Sequence, residues 1–307
     1  MKTRLIALAA LALFGLNLSP AWAGKLEQIK KDGLRVCLEP AYMPFEITDK
    51  RGAIIGFDPD LAVLMQKDLG APKLELVSTA WDGIIPALIT DKRGAIIGFD
   101  PDLAVLMQKD LGAPKLELVS TAWDGIIPAL ITGKCDIIMS GMTITDERKQ
   151  KVDFSEPYML VGQTILLRKD LAGKVKSYKD LNKSEYKIAS KLGTTGEIAA
   201  KKYIPKAKYF SYETEAEGVM ETVNGKVDAF VYDSPYNLVA NVQRGEGKLV
   251  FLDKPFTDEP IGWAIAQGDP EFLKAINAFL VKIKKDGEWA KLHDKWFKNT
   301  DWLKDVQ

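Results

Sequence analysis

Residues 48–89 are repeated as residues 90–131 without a single substitution over 42 positions. Solenoids and other repeat folds are built from drifted units, at least three of them, with atypical ends. Two identical copies instead read as one segment of an ordinary fold written twice, by recent duplication, a cloning event or an assembly error. Whatever the chain folds into must therefore place one copy and accommodate a surplus of 42 residues.

The first 23 residues read as a secretory signal. Lys2 and Arg4 give a positive start, residues 5–16 an apolar run, and Ala21-Trp22-Ala23 a cleavage site. The run is shorter than the roughly 20 residues that span a bilayer. Cleavage after Ala23, export to a bacterial periplasm and solubility there are the expectations. Taking away the signal and one copy leaves 242 of the 307 residues, a length suited to two modest lobes. Two basic residues leave with the signal, so 40 basic face 42 acidic residues in what remains. That balance argues against nucleic acid or an anionic membrane as partner. Cys37 and Cys135 each open an apolar run and read as either a disulfide or a buried thiol pair. With His293 as the one histidine in the sequence, a zinc site is not expected, nor any cofactor.

Strand and helix patterns alternate along the chain. Residues 34–39 read as a strand and 45–55 as a hairpin. Residues 60–69 read as a helix with Asp58 as N-cap, and 73–77 as a strand. A strand over 136–140, a loop over 141–145 and a strand over 163–168 follow. A second series begins at 187, with strands at 187–190, 208–210 and 229–232 separated by helices at 197–203, 215–223 and 235–243. The tail is helical from 272. This pattern predicts an α/β chain with mostly parallel sheets in two lobes. In that class ligands bind beyond the carboxyl ends of the strands.

The loops there carry chemistry. Glu39 and Tyr42 follow the first strand, with Phe45 close behind, and Trp81 or its twin Trp123 opens a helix. The aromatic residues read equally as core. Ser140, Gly141, Met142 and Thr143 lead to Arg148, whose planar fork suits a carboxylate, or else a surface pairing with Asp146 or Glu147. Lys191 to Gly196, with Thr194 and Thr195, joins a strand to a helix start whose amides favour an anion. Asp233 reads as a helix cap or as a partner for an ammonium group. A carboxylate fork, amide donors, an acid and aromatics together complement a zwitterion.

The stretches YMPFE, GFDPDLA, WDGIIPALITGKCDI, SGMTITDERKQKVDFSEPY, SKLGTTGE, NGKVDAFVYDSP and KKDGEWAKLHDKWF, in this order, resemble the periplasmic amino-acid-binding proteins that feed ABC importers. The resemblance covers essentially the whole chain after the signal, one copy set aside. It implies the two-lobed periplasmic-binding-protein fold, with lobe one at 24–160 plus 260–307 and lobe two at 161–259. Two hinge strands near 158–162 and 257–261 would join them. By the resemblance Arg148 holds the α-carboxylate, helped by Thr143 and the amides of Thr194 and Thr195. Asp233 holds the α-ammonium with the Gly141 carbonyl, and Tyr42 with Trp81 or Trp123 sandwiches the side chain. Ser140 and Met142 belong to the same loop. Glu39 and Lys191 lie where the family reads the side-chain end. A carboxylate and an ammonium there suit a neutral polar side chain such as glutamine, with lysine or arginine next.

The implied partners are a free L-amino acid and an inner-membrane ABC permease, with the protein itself a monomer. An enzyme on the same scaffold, of dehydratase type, and a ligand-sensing module are the alternatives. Neither a GxSxG elbow nor a Cys–His pair is present for catalysis. The second copy is expected to be the integrated one, because residues 123–131 run straight into the strand at 136; surface turns near 49–52, 70–72 and 132–133 are the tolerant places for the surplus.

Overall fold

The computed structural model describes residues 25–38, 47–48, 54–78, 115–245 and 247–298. Two sheets organise them. The first has six strands in the order β4-β5-β1-β6-β15-β7, formed by Leu34–Leu38 (β1), Lys73–Ser78 (β4), Lys115–Ser120 (β5), Ile137–Ile138 (β6), Val152–Phe154 (β7) and Ala264–Ala266 (β15). The second has the order β11-β10-β12-β9-β13, formed by Gln163–Arg168 (β9), Lys187–Lys191 (β10), Lys208–Tyr212 (β11), Ala229–Asp233 (β12) and Leu249–Leu252 (β13). In each sheet the strands linked through helices run parallel, and the strands that return from the other sheet run antiparallel. Between the sheets lies an antiparallel pair, Met159–Val161 (β8) against Glu259–Ile261 (β14). A short hairpin, Ile47–Thr48 (β2) with Ile54–Ile55 (β3), completes the strands.

Local chemistry explains the helices. Lys25–Asp32 (α1) and Phe57–Asp68 (α2) come first, followed by Trp123–Ile131 (α3) and Asp146–Lys149 (α4). Thr195–Tyr203 (α5), Glu215–Val223 (α6) and Ser234–Arg244 (α7) serve the second sheet. Thr214 and Glu217 form a reciprocal capping box at the start of α6. Pro270–Lys285 (α8) begins with an Asp269 cap and buries Phe272, Ile276, Phe279, Leu280 and Ile283 at helical spacing. Glu288–His293 (α9) closes the described chain, followed by a π turn to Lys298.

The described parts of the duplicated block come from both copies. Helix α2 comes from the first copy and packs on β1 and β4; α3 comes from the second copy and packs on β1 and β6. The twin of each lies outside the described residues. Both copies of the strand KLELVS register identically on β1, with Leu34 opposite Leu74 and also opposite Leu116. A strand has two edges, and β6 holds one edge of β1. Two equal strands thus contest the remaining edge. Helix α2 is buried on every side from Phe57 to Lys67, including Asp60, Gln66 and Lys67, where the sequence pattern predicts one apolar face.

Cys37 and Cys135 form a disulfide with Cα atoms 5.3 Å apart and a sequence separation of 98. Cys135 precedes β6 rather than sitting in it, so it reaches β1 from beneath α3 and escapes the poor geometry of directly paired parallel strands. The bridge brackets the whole duplicated block.

Candidate functional site

The loops at the carboxyl ends of both sheets meet beside the β8–β14 pair. From the first sheet, the chain leaves β6 through Ser140 and turns at Gly141, whose φ of +52° favours glycine. This turn is held from two directions. Asp58, in the first turn of α2, accepts the Gly141 N–H and the Tyr158 hydroxyl, the latter at 2.7 Å. Asp58 was expected as the helix N-cap; the cap position is Gly56, and burial has redirected the carboxylate to the loop. On the other side Ile144 N donates to Pro260 O and Gly262 N donates to Met142 O, strapping the loop to β14. Thr145 then caps α4 by accepting from Arg148 N.

Arg148 points back over this loop. Its Nη1 donates to Thr143 O at 2.8 Å, and its guanidinium lies 5.2 Å from the Trp123 ring centroid. Burial pushes its pKa down from the ordinary arginine range, opposed by the nearby carboxylates of Asp233 and Glu259. A guanidinium stays protonated in proteins despite such a shift, so Arg148 is a fixed positive charge on a cation–π seat. Among the described residues no ion pair joins Arg148 to Asp146 or Glu147, and its guanidinium turns to Thr143 O instead.

From the second sheet, Lys191 ends β10 and the chain turns at Gly193 into α5. Trp123 Nε1 donates to Gly193 O at 3.0 Å, joining the two loop sets across the cleft. Thr194 sits at the cap position of α5 with its hydroxyl on Lys191 O at 2.8 Å. Thr195 Oγ1 lies 3.4 Å from Thr143 Oγ1, a second contact across the cleft. Asp233 ends β12 at the cap position of α7, yet its side chain makes no capping bond; it accepts from Gln163 Nε2 instead.

Several sequence-based candidates are brought together and others are not. Thr143, Arg148, Trp123, Lys191, Thr194, Thr195 and Asp233 are drawn together by these contacts, with Ser140 and Gly141 in the loop before Thr143. Met142 departs from its expectation: its side chain enters the apolar cluster of Cys37, Ile126, Leu130 and Ile138. Lys191 lies beside the same indole, its Nζ 5.9 Å from the Trp123 ring centroid. Its Nζ pairs with Glu215 at 3.1 Å, both side chains 1% exposed, and Tyr232 donates to the same Glu215 oxygen at 2.8 Å. Glu39, Tyr42, Phe45 and Trp81 lie outside the described residues.

Three residues that the sequence reading missed complete the site. Gln163 opens β9, and its Nε2 approaches Asp233, Thr195 at 3.3 Å and Glu259 at 3.2 Å. Glu259 opens β14 and accepts from Thr143 Oγ1 at 3.2 Å and Thr257 Oγ1 at 2.8 Å. Gly162, between β8 and β9, lets the hinge strands touch: a Cβ there would lie 2.2 Å from Thr257 O. The available signal was a glutamine opening an otherwise apolar strand and an acid beside Pro260 in a hinge.

Two α/β sheets joined by a strand pair, with charged loops facing each other across a cleft, define a two-lobed solute-binding fold. The chain belongs to the bacterial extracellular solute-binding proteins, family 3, matched over residues 34–97 and 88–299. It is 38% identical over 268 residues to a protein named as a probable histidine-binding protein of Neisseria gonorrhoeae, covering 86% of this chain and 82% of that one. The L-cystine-binding protein TcyJ of Escherichia coli is 30% identical, covering 89% and 86%. A structure from Wolinella succinogenes complexed with lysine is 45% identical with a TM-score of 0.72, covering 88% of this chain and 98% of that one. An ancestral amino acid-binding protein described as a precursor of cyclohexadienyl dehydratase is 45% identical with a TM-score of 0.70, covering 89% and 99%.

Proposed function

We propose that this protein binds a polar L-amino acid outside the cytoplasm by closure of two lobes and delivers it to an ABC permease. The observation that carries the reading is the opposition of Arg148, seated on Trp123, to Asp233 on the facing loop. A fixed cation and a buried carboxylate on opposite sides of one cleft complement the α-carboxylate and α-ammonium of an amino acid. The lobes would be 24–160 plus 260–307 and 161–259, hinged at β8 and β14. Closure then follows from a ligand that contacts both loop sets only when they meet. Export through the leader, cleavage after Ala23 and a monomeric state belong to the same reading. Relatives named for histidine, glutamine, cystine and arginine support an amino acid as the ligand class.

Titration calorimetry over the twenty L-amino acids tests this. Saturable binding of polar members is expected. Binding of apolar amino acids alone, or of none, would sink the reading. The neighbour described as a dehydratase precursor favours a second reading, catalysis on the same scaffold. Mass spectrometry of ligand recovered after long incubation separates the two: an unchanged ligand is expected, and a product lighter by water would favour the enzyme.

A further inference from the structure

The edge of β1 opposite β6 is one seat with two identical strands registered on it. Leu34 lies opposite Leu74 of β4 and opposite Leu116 of β5, and Arg35 lies opposite Glu75 and Glu117 in the same way. A strand edge offers one row of N–H and C=O groups, so it completes a ladder with one strand at a time. β4 and β5 also run side by side in matching register, Leu76 opposite Leu118 and Ser78 opposite Ser120, with an irregularity at Leu74 and Glu75. Either can replace the other by moving about 4.8 Å, one strand spacing. The residues are the same in both, so the contacts of the seat do not choose between them. Chain length does not choose either. With β4 seated, residues 79–120 connect Ser78 to Thr121; with β5 seated, residues 73–114 connect Pro72 to Lys115, and each connection is 42 residues long. Loop-closure entropy depends on that length and is the same for both.

What differs is the end of the strand at which the connection leaves. The carboxyl end faces the candidate site, and there Thr121 and Trp123 follow β5 directly. β5 pairs with β1 up to Leu38 opposite Ser120, whereas the β4 pairing stops at Val36 opposite Leu76. Thr121 is buried, and its hydroxyl donates to Cys37 Sγ at 3.8 Å. Seating β5 therefore carries the ladder up to Trp123, which lies under the Arg148 guanidinium and donates to Gly193 O. Seating β4 instead places the 42-residue connection immediately before Thr121, so Trp123 loses that support from the strand. We infer that the duplication makes a strand-exchange switch: β4 and β5 alternate on the β1 edge, and a bound amino acid draws the population to the form with β5 seated. The ligand part rests on the proposed function above; the exchange itself does not. A ligand shifts such an equilibrium by its difference in affinity for the two forms, and here that difference comes from how firmly Trp123 is held.

The same substitution made in either copy of the full duplicated chain tests this. Leu74 is fully buried opposite Leu34, and an aspartate there opposes seating of its strand because its charge would be desolvated. Leu74→Asp should leave β5 on the edge, and Leu116→Asp should leave β4. Each single variant is expected to unfold cooperatively near the midpoint of the parent, since blocking one of two equal choices changes the folded population by only about a factor of two. The double variant is expected to lose cooperative unfolding. A single variant as damaged as the double would show that one strand alone owns the edge and would overturn the exchange, as would a double variant as stable as the parent. Leu74→Ala and Leu116→Ala repeat the comparison with a milder perturbation, and two nearly silent singles with a destabilised double are again expected. Calorimetry with each of the twenty L-amino acids reads the coupling. Leu74→Asp should bind as tightly as the parent or up to about twofold tighter, and Leu116→Asp at least about threefold more weakly. Equal affinities in the two single variants, or tighter binding by Leu116→Asp, would overturn the switch. A parent that binds none of the twenty overturns the amino-acid reading, while the unfolding comparison still decides the exchange.

Discussion

Arg148 and Trp123 act as one unit. The guanidinium lies over the indole and is oriented by Thr143 O, so under the proposed function its fork is preset before a ligand arrives. Removing one partner of a desolvated charge pair costs about 2 to 5 kcal/mol. Arg148→Ala is therefore expected to weaken amino-acid binding at least about thirtyfold, and Asp233→Ala comparably; unchanged affinity in either variant by calorimetry would count against the site. Trp123 distinguishes the two copies. Trp123→Ala should weaken binding by about tenfold or more through loss of the cation–π seat and the Gly193 contact, while Trp81→Ala should leave the affinity within about threefold. Equal losses in both variants would mean that the copies share the site. Arg148 was readable in the sequence as a candidate because a planar cation in a glycine–threonine loop suits a carboxylate. Glu259 was not, because its place beside Gln163, 96 residues away, is set by the meeting of β9 and β14.

At the scale of elements, β1 decides what the duplication can do. Its edge opposite β6 pairs with Leu74 and with Leu116 in the same register, so the surplus is delimited by β4 and β5. The turn at 70–72 and its twin, among the tolerant points read from the sequence, directly precede these strands. Deleting residues 79–120 joins Ser78 to Thr121 and restores a single copy. That chain is expected to bind its ligand within a few-fold of the duplicated protein and to unfold at a higher midpoint. One strand then owns the β1 edge, and no second amphipathic helix and strand remain to mispair. Calorimetry and thermal unfolding check this together; loss of binding on deletion would show that the surplus is part of the site. The helix pattern read from sequence found α2 but misjudged its environment. A one-sided apolar stripe was expected, and burial of Asp60, Gln66 and Lys67 is a tertiary fact that periodicity does not carry.

For the whole molecule, the disulfide and the β8–β14 pair tie distant parts of the chain together. Cys37 and Cys135 bracket the block, so the first sheet keeps β1 beside β6 whatever length of chain lies between them. Loop-closure entropy for a span near 100 residues is worth about 4 to 5 kcal/mol. Cys37→Ser with Cys135→Ser is expected to lower unfolding stability by about 2 to 5 kcal/mol in denaturant titrations, with a smaller effect on ligand affinity, since Arg148 and Asp233 are positioned by other contacts. A double variant as stable as the parent would remove the bridge from the account. The hinge at β8 and β14 is narrow enough that Gly162 touches Thr257. Gly162→Val should disturb the approach of the hinge strands and change the ligand-induced decrease in radius of gyration measured by solution scattering.

Sequence alone determined the alternation of strands and helices, the family-like loops and the identity of the charged groups. These follow from local rules of periodicity, capping and turn chemistry, which need only neighbouring residues. It also exposed the duplication, since identity between copies is a property of the string. Only the tertiary structure decided that the cysteines are bonded, that Met142 enters an apolar cluster and that Lys191 pairs with Glu215. Those outcomes depend on which distant groups share a buried space. Burial there turns a modest difference in charge into a difference in free energy large enough to choose a partner.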